Sequence, residues 1–199
     1  MEAQWEKLTE RDYRRSVWSG GKTTQIAIAP EGASYGDRDF LWRVSSATVE
    51  TEESDFTLLP DYRRRICALE GTMVLRHGEG APLRLEPYRI HSFDGAEQTH
   101  SAGCCRDFNL MLRRDAAEGE MEALLLEPGQ RELPGDPRGG EQILCCVRGA
   151  CLVTDGAEAA ALSEGESLLC SAGPGLRLMT AEEAVLMRCR MREKSSGSA

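Results

Sequence analysis

Arg43 stands in the middle of FLWRVSSATVE, a run otherwise composed like a β-strand. A guanidinium there either faces solvent or is paired inside, because burying an unpaired charge is costly. Strand alternation puts Arg43 on one face with Ser45 and turns Trp42 and Val44 to the other, without saying which face is inward. Turned inward, Arg43 offers the planar fork that suits a carboxylate in a pocket. Arg64 lies within Arg63-Arg64-Arg65, which reads either as a surface cluster or as the source of a second guanidinium. In DFNLMLRR, Asp107, Asn109 and Met111 share one face, and Phe108, Leu110 and Leu112 the other. Asn109 carries both a donor and an acceptor, which suits an amide or formyl group. Asp107 would orient an arginine or close a structural salt bridge. The candidate ligand-binding set is Arg43, Arg64 and Asn109, with Trp42, Ser45 and Asp107 around them.

Other chemistries find less support. His77, His91 and His100 are the only histidines and form no H-x-H. Among eight cysteines, Cys104–Cys105 and Cys145–Cys146 are adjacent pairs and no C-x-x-C occurs, so neither a zinc site nor a disulfide framework is indicated. Cys67, Cys151, Cys170 and Cys189 sit in apolar runs where a reduced thiol packs as a small hydrophobe. Gly21-Lys22-Thr23 resembles the end of a phosphate loop, but Ser16 stands where the required glycine belongs, and the segment reads as a polar loop. No serine has a G-x-S-x-G context. No base is singled out beside a reacting group, so no catalytic residue, metal or cofactor is assigned.

Short apolar runs broken by Gly, Pro or Asp carry these residues, as in ICALEGTMVLRHG, LRLEPYRIHSFDG, ILCCVRGACLVTDG and ESLLCSAGPGLRLM. This is strand-turn-strand grammar. The strings ALEGTMVL and CVRGACLV align at an offset of 78 residues, Gly71 on Gly149. The same offset carries Gly78 to Gly156, Glu86 to Glu164, Ile90 to Leu168 and Gly95 to Gly173 without a gap, and Phe108 to Leu186. Two equivalent sets of short strands predict an all-β protein of two antiparallel barrels. Residues 1–115 would form the half with the pocket, 116–192 the second half, and 193–199 a disordered tail. The segment to about Arg15 fits a strand or one helical turn, EGEMEALLLEPG a strand whose start could be helical, and GQRELPGDPRGGEQ a loop.

The second half resembles a cupin that has lost its metal ligands. Gly135, Pro137, Glu141 and Leu176 occupy the four ligand positions of the cupin motifs, and Thr57, Leu59, Arg63 and Gln98 are their counterparts in the first half. One carboxylate does not hold a transition metal that needs three or four donors.

WSGGKTTQIAIAPEG, RDFLWRVSSATVE, ESDFTLLPDYRR, LEGTMVLRHG, RIHSFDG and CRDFNLMLRR together resemble the HutD/Ves family over about residues 15 to 115, with a looser fit beyond. The resemblance implies a bicupin fold. It also implies an association with histidine utilization, a ligand of the N-formylglutamate type, and a sensing or restraining role. Ser19-Gly20-Gly21 departs from the family's Asn-containing stretch after Trp18, and Arg63 stands where the family favours an acidic or amide residue before its Arg.

A formal charge of −9 disfavours nucleic acid as a partner. No apolar run approaches a membrane span, and the charged opening MEAQWEKLTERDYRR argues for the cytoplasm rather than secretion. The leading expectation is a small-molecule-binding sensor without metal. A metal-independent isomerase or lyase acting on a small carboxylate, using Asp107 or His91, is the alternative. A module for protein association is a third, and a homodimer is left open.

Overall fold

The computed structural model describes residues 5–194, and every regular element among them is a strand. The chain runs through β1 (Trp5–Leu8), β2 (Arg14–Trp18), β3 (Gly21–Ala29), β4 (Trp42–Val49), β5 (Glu53–Asp55) and β6 (Tyr62–Gly71). It continues through β7 (Met73–His77), β8 (Leu83–Leu85), β9 (His91–Asp94), β10 (Thr99–Ala102), β11 (Cys105–Arg113) and β12 (Ala117–Leu126). The rest is β13 (Gly129–Leu133), β14 (Glu141–Arg148), β15 (Ala150–Thr154), β16 (Ala159–Ser163), β17 (Ser167–Ser171), β18 (Leu176–Thr180) and β19 (Ala184–Glu193). Glu118 to Leu126 is thus strand from its start, Gly129–Leu133 is a strand rather than part of a loop, and Gly21-Lys22-Thr23 opens β3 instead of forming a polar loop. Of the expected tail only Glu193 and Lys194 fall within the described residues.

Two compact units divide the chain. Residues 13–118 form one; residues 119–192, joined by residues 5–12, form the other. This differs from a division at residue 115 because β1 leaves the first half and pairs antiparallel with β17, Trp5 opposite Cys170. The 13–118 unit has a six-stranded sheet, β2-β3-β4-β11-β6-β9, and a four-stranded sheet, β5-β10-β7-β8. The 119–192 unit has a five-stranded sheet, β1-β17-β14-β19-β12, and a four-stranded sheet, β13-β18-β15-β16. The strand orders are those of open sheets, and no closed barrel of the kind expected from the strand pattern is found among the described residues.

In each unit the core lies between its two sheets. Ile66, Ala68 and Phe93 of the larger sheet pack with Met73, Leu75 and Leu85 of the smaller one. In the other unit, Leu144, Leu168 and Leu186 pack with Val153, Leu162 and Leu178. Burying such apolar surface yields about 25 cal/mol per Å², which favours pairs of strand layers over isolated strands.

Pairing follows the same order in both units: β11-β6-β9 and β10-β7-β8 are matched by β19-β14-β17 and β18-β15-β16. The register is not gapless, however. Arg64 pairs with Phe93 and with Met111, whereas Gln142 pairs with Cys170 and with Arg190. With β6 and β14 related by 78 residues, β9 and β17 are related by 77 and β11 and β19 by 79. The turn from β15 to β16 is one residue shorter than its counterpart, and the β18–β19 connection two residues longer. Ala172 rather than Gly173 therefore stands where Gly95 does: its N–H donates to Gly140 O as that of Gly95 donates to Tyr62 O. Likewise Arg188, not Met187, is the counterpart of Asn109.

Candidate functional site

Three neighbouring strands build the site on the face that turns toward the smaller sheet. Register sets Arg43, Met111 and Arg64 in one row across β4, β11 and β6, then Ser45, Asn109 and Ile66, then Ala47, Asp107 and Ala68. Neighbouring strands lie about 4.8 Å apart, so the two arginine backbones stand roughly 10 Å apart with Met111 between them. Alternation explains the sharing: on β11, Phe108 and Leu110 go to the opposite face and are fully buried. The polar residues thus point into the unit, and the most apolar ones do not mark its interior. Trp42 alternates away from Arg43 and belongs to the other face of β4.

Burial here is severe. Arg43 is 5% exposed, Arg64 6%, Asp107 5% and Asn109 4%. Arg43 Nε donates to Gln25 Oε1 at 2.8 Å and Nη1 to Ser45 Oγ at 3.0 Å, and its guanidinium lies 4.6 Å from the centre of the Tyr35 ring. Arg64 has aromatic rather than polar company, with Phe56 at 4.5 Å and Phe93 at 5.1 Å from its guanidinium carbon. Its Nε is buried without a hydrogen-bond partner, as are Asn109 Oδ1 and Ser101 Oγ. Of the three consecutive arginines only Arg64 is buried; Arg63 is exposed, and Arg65 reaches Ser92 Oγ at 3.3 Å.

Asp107 accepts a hydrogen bond from Ala47 N–H at 3.1 Å. Burial pushes its carboxyl up to about 6, against the pull of that bond, Arg64 and Arg43. Burial also lowers Arg64, to about 10, and repulsion from Arg43 adds to this, yet the group stays charged at neutral pH. Desolvation lowers Arg43 too. Neither guanidinium makes a carboxylate ion pair among the described residues; the bonds of Arg43 go to an amide and a hydroxyl.

The sequence did not mark several members of this site. Gln25 arrives from β3, beside a bulge between Gln25 and Ala27. Tyr35 comes from the loop before β4, which Tyr62 O–H anchors by donating to Phe40 O at 3.0 Å. Phe56 and Phe93 lie in the family-like strings ESDFTLLPDYRR and RIHSFDG, the one signal that pointed toward them.

The fold gathers two of the three histidines. His77 and His91 face each other with Nε2 atoms 2.8 Å apart, and His77 Nδ1 lies 2.9 Å from Thr99 Oγ1. His100 goes instead to Asp55, at 2.9 Å. Among the described residues, no three His, Cys, Asp or Glu side chains converge to hold a metal ion. The donors present do not fit the metal of a cupin: two imidazoles engage one another, and Arg63 stands at a ligand position. The 119–192 unit holds a contrasting arrangement, in which Arg188 is buried but satisfied by Gln142 Oε1 at 2.8 Å and Glu122 Oε1 at 3.3 Å.

The paired antiparallel sheets of each unit make a cupin-like fold, which solved structures share. A conserved protein of unknown function from Pseudomonas aeruginosa PAO1 superposes with a TM-score of 0.83 at 24% identity, covering 96% of this chain and 100% of the other. HutD from Pseudomonas fluorescens SBW25, described under a formate condition, gives 0.75 at 20% identity over 96% and 100%. The bacterial pirin YhhW from Escherichia coli, in complex with nickel(II), gives 0.68 at 8% identity over 94% and 98%. No curated protein matches the chain in sequence. The HutD family model matches residues 10–187, and the chain belongs to that family.

Proposed function

We propose that this chain is a bicupin, two cupin units from one duplicated ancestor, whose 13–118 unit binds a small carboxylate as a sensor or regulatory protein. The observation that carries this reading is the pair of buried guanidiniums without a carboxylate partner, beside the unpartnered Arg64 Nε and Asn109 Oδ1. Buried charges without partners are rare because desolvation is costly, and a bound anion would relieve that cost. A ligand that accepts from Arg64 Nε and donates to Asn109 Oδ1 carries a carboxylate and an N–H or O–H, as an N-formylglutamate-like acid does. The common order of strand pairing and the left-handed glycines Gly71 and Gly149, at φ of 80° and 79°, support the duplication.

A thermal-shift screen of small acids tests the function, since a ligand at 100 times its Kd adds about 2.7 kcal/mol. Replacing Arg43 or Arg64 by Ala should remove a charge-assisted hydrogen bond worth about 1.5–3 kcal/mol, roughly a tenfold to hundredfold loss in affinity. Arg148→Ala, at the exposed end of β14, should leave affinity unchanged. Equal affinity in all three variants, each confirmed folded by circular dichroism, would remove this site from the reading.

The raised proton affinity of Asp107 favours a second reading, a general base acting beside a carboxylate held by the arginines. Turnover, or exchange of a substrate C–H in deuterated water, lost in Asp107→Asn, would establish it.

A further inference from the structure

We propose that the site accepts one net negative charge: a monocarboxylate enters with Asp107 ionised, whereas a dicarboxylate enters only together with one proton, which Asp107 takes up. This rests on the anion-binding reading and specifies the charge class and proton balance of its ligand.

Three formal charges share the inner face, those of Arg43, Arg64 and Asp107, and all three side chains are buried. Charge in such a medium is costly unless neutralised. With Asp107 ionised the three sum to one positive charge, which a monoanion cancels. A dianion would leave one negative charge in excess, and protonating Asp107 restores neutrality. The proton comes from solvent and ends on a carboxyl oxygen of Asp107, with no covalent bond in the ligand changed.

The surroundings single out Asp107 as the group that gives way. Arg43 from β4 and Arg64 from β6 favour its ionised form, and both stay charged. Cys67 from β6 and Cys105 from its own strand also feel its charge, but burial holds both thiols up at about 12, so they remain neutral. Tyr35, from the loop before β4, acts on the two arginines. His91 from β9 and His77 from β7 face the same interior and engage each other. Asp107 already holds its proton to about 6, chiefly through burial. A second carboxylate nearby would raise it further, as like charges do.

Calorimetric titration of the full chain with N-acetylglycine, a monoanion, and succinate, a dianion, tests this between roughly pH 7 and 8.5. Buffers of different ionisation enthalpy report the protons exchanged. Succinate affinity should fall by up to about tenfold per pH unit, with one proton taken up per succinate bound. N-acetylglycine affinity should be flat, with no proton exchanged. Asp107→Asn, which keeps the shape, should retain succinate binding and abolish both its pH slope and its proton uptake. Succinate binding without proton uptake, or an unchanged slope in Asp107→Asn, would overturn the proposal while leaving anion binding intact. If neither acid binds at millimolar concentration at any pH, the anion-binding reading falls and takes this inference with it.

Discussion

Asp107 shows how a single residue couples the site to stability. Its carboxyl holds a proton more tightly folded, to about 6, than at the ordinary value of 3.8, and burial is the chief cause. The folded chain therefore binds more protons than the unfolded one between these values. The stability linked to this group is fully present below about pH 4 and is lost as pH rises through 6. A rise of that size corresponds to about 3 kcal/mol. Asp107→Asn should thus raise the Tm by several degrees at pH 8 and leave it unchanged near pH 4. Thermal unfolding at the two pH values checks this. A variant destabilised at pH 8 would mean that the ionised carboxylate holds the two guanidiniums in place. Alternation along FLWRVSSATVE and DFNLMLRR correctly grouped Arg43 with Ser45 and Asp107 with Asn109, because period two is a local property. It could not decide which face is inward, since β4 and β11 are buried on both faces. Gln25 and Tyr35 were not legible, and Phe56 and Phe93 were marked only by lying in family-like strings, because these partners come from β3, loops and β9 and are brought in by long-range contacts.

At the scale of elements, the shared pairing order of the two units was foreshadowed by glycines, while its register departs from a gapless offset. Gly71 has φ of 80°, and a Cβ there would stand 2.4 Å from Cys104 O; Gly149 has φ of 79°, with Glu183 O at 2.7 Å. Both have a left-handed backbone in close contact with the start of a long strand, β11 for Gly71 and β19 for Gly149, which fits their being the clearest sequence match. Both strands that end at these turns also carry a bulge just before them, at Leu69 and at Val147. Turn lengths leave no such mark, since a residue lost from one loop and two gained in another nearly cancel in a sequence offset. The error has consequences: a gapless offset sets Met187 against Asn109, whereas pairing sets the buried Arg188 there. Gly71→Ala should therefore cost more than the roughly 1–2 kcal/mol of a left-handed alanine alone, because the β-carbon also meets a carbonyl oxygen. Gly78→Ala, with φ of 50° and nothing within 4 Å of its Cβ, should cost only the conformational part. Chemical denaturation of the two variants separates these contributions; equal losses would show that the approach to Cys104 O relaxes freely.

On the scale of the whole molecule, the first strand belongs to the last third of the chain. β1 lies along β17 from Trp5–Cys170 to Leu8–Ser167, and Trp5 packs against the core that contains Leu168 and Leu186. Lys7 Nζ donates to Ala161 O at 2.8 Å and lies 2.8 Å from Glu166 Oε2, tying the strand to β16 and to the turn before β17. Local sequence carries no sign of this: WEKL has one apolar residue at each end and reads as the start of the first half. Its placement follows from the edge it covers, since β17 would otherwise end its sheet with a row of unpaired backbone groups. Removing residues 1–12 should therefore act on the 119–192 unit. Four residues of ladder and the indole of Trp5 are lost, on the order of 2–4 kcal/mol by analogy with truncating a large core side chain. Amide exchange should accelerate in β17 and β14 and remain slow in β4, β6 and β11, where the arginine site lies. Affinity for any carboxylate that binds through Arg43 and Arg64 should stay within about twofold of the full chain, a difference below about 0.5 kcal/mol. Equal acceleration of exchange in both units would mean that they unfold as one, and the stability of the binding unit would then depend on a strand that it does not contain.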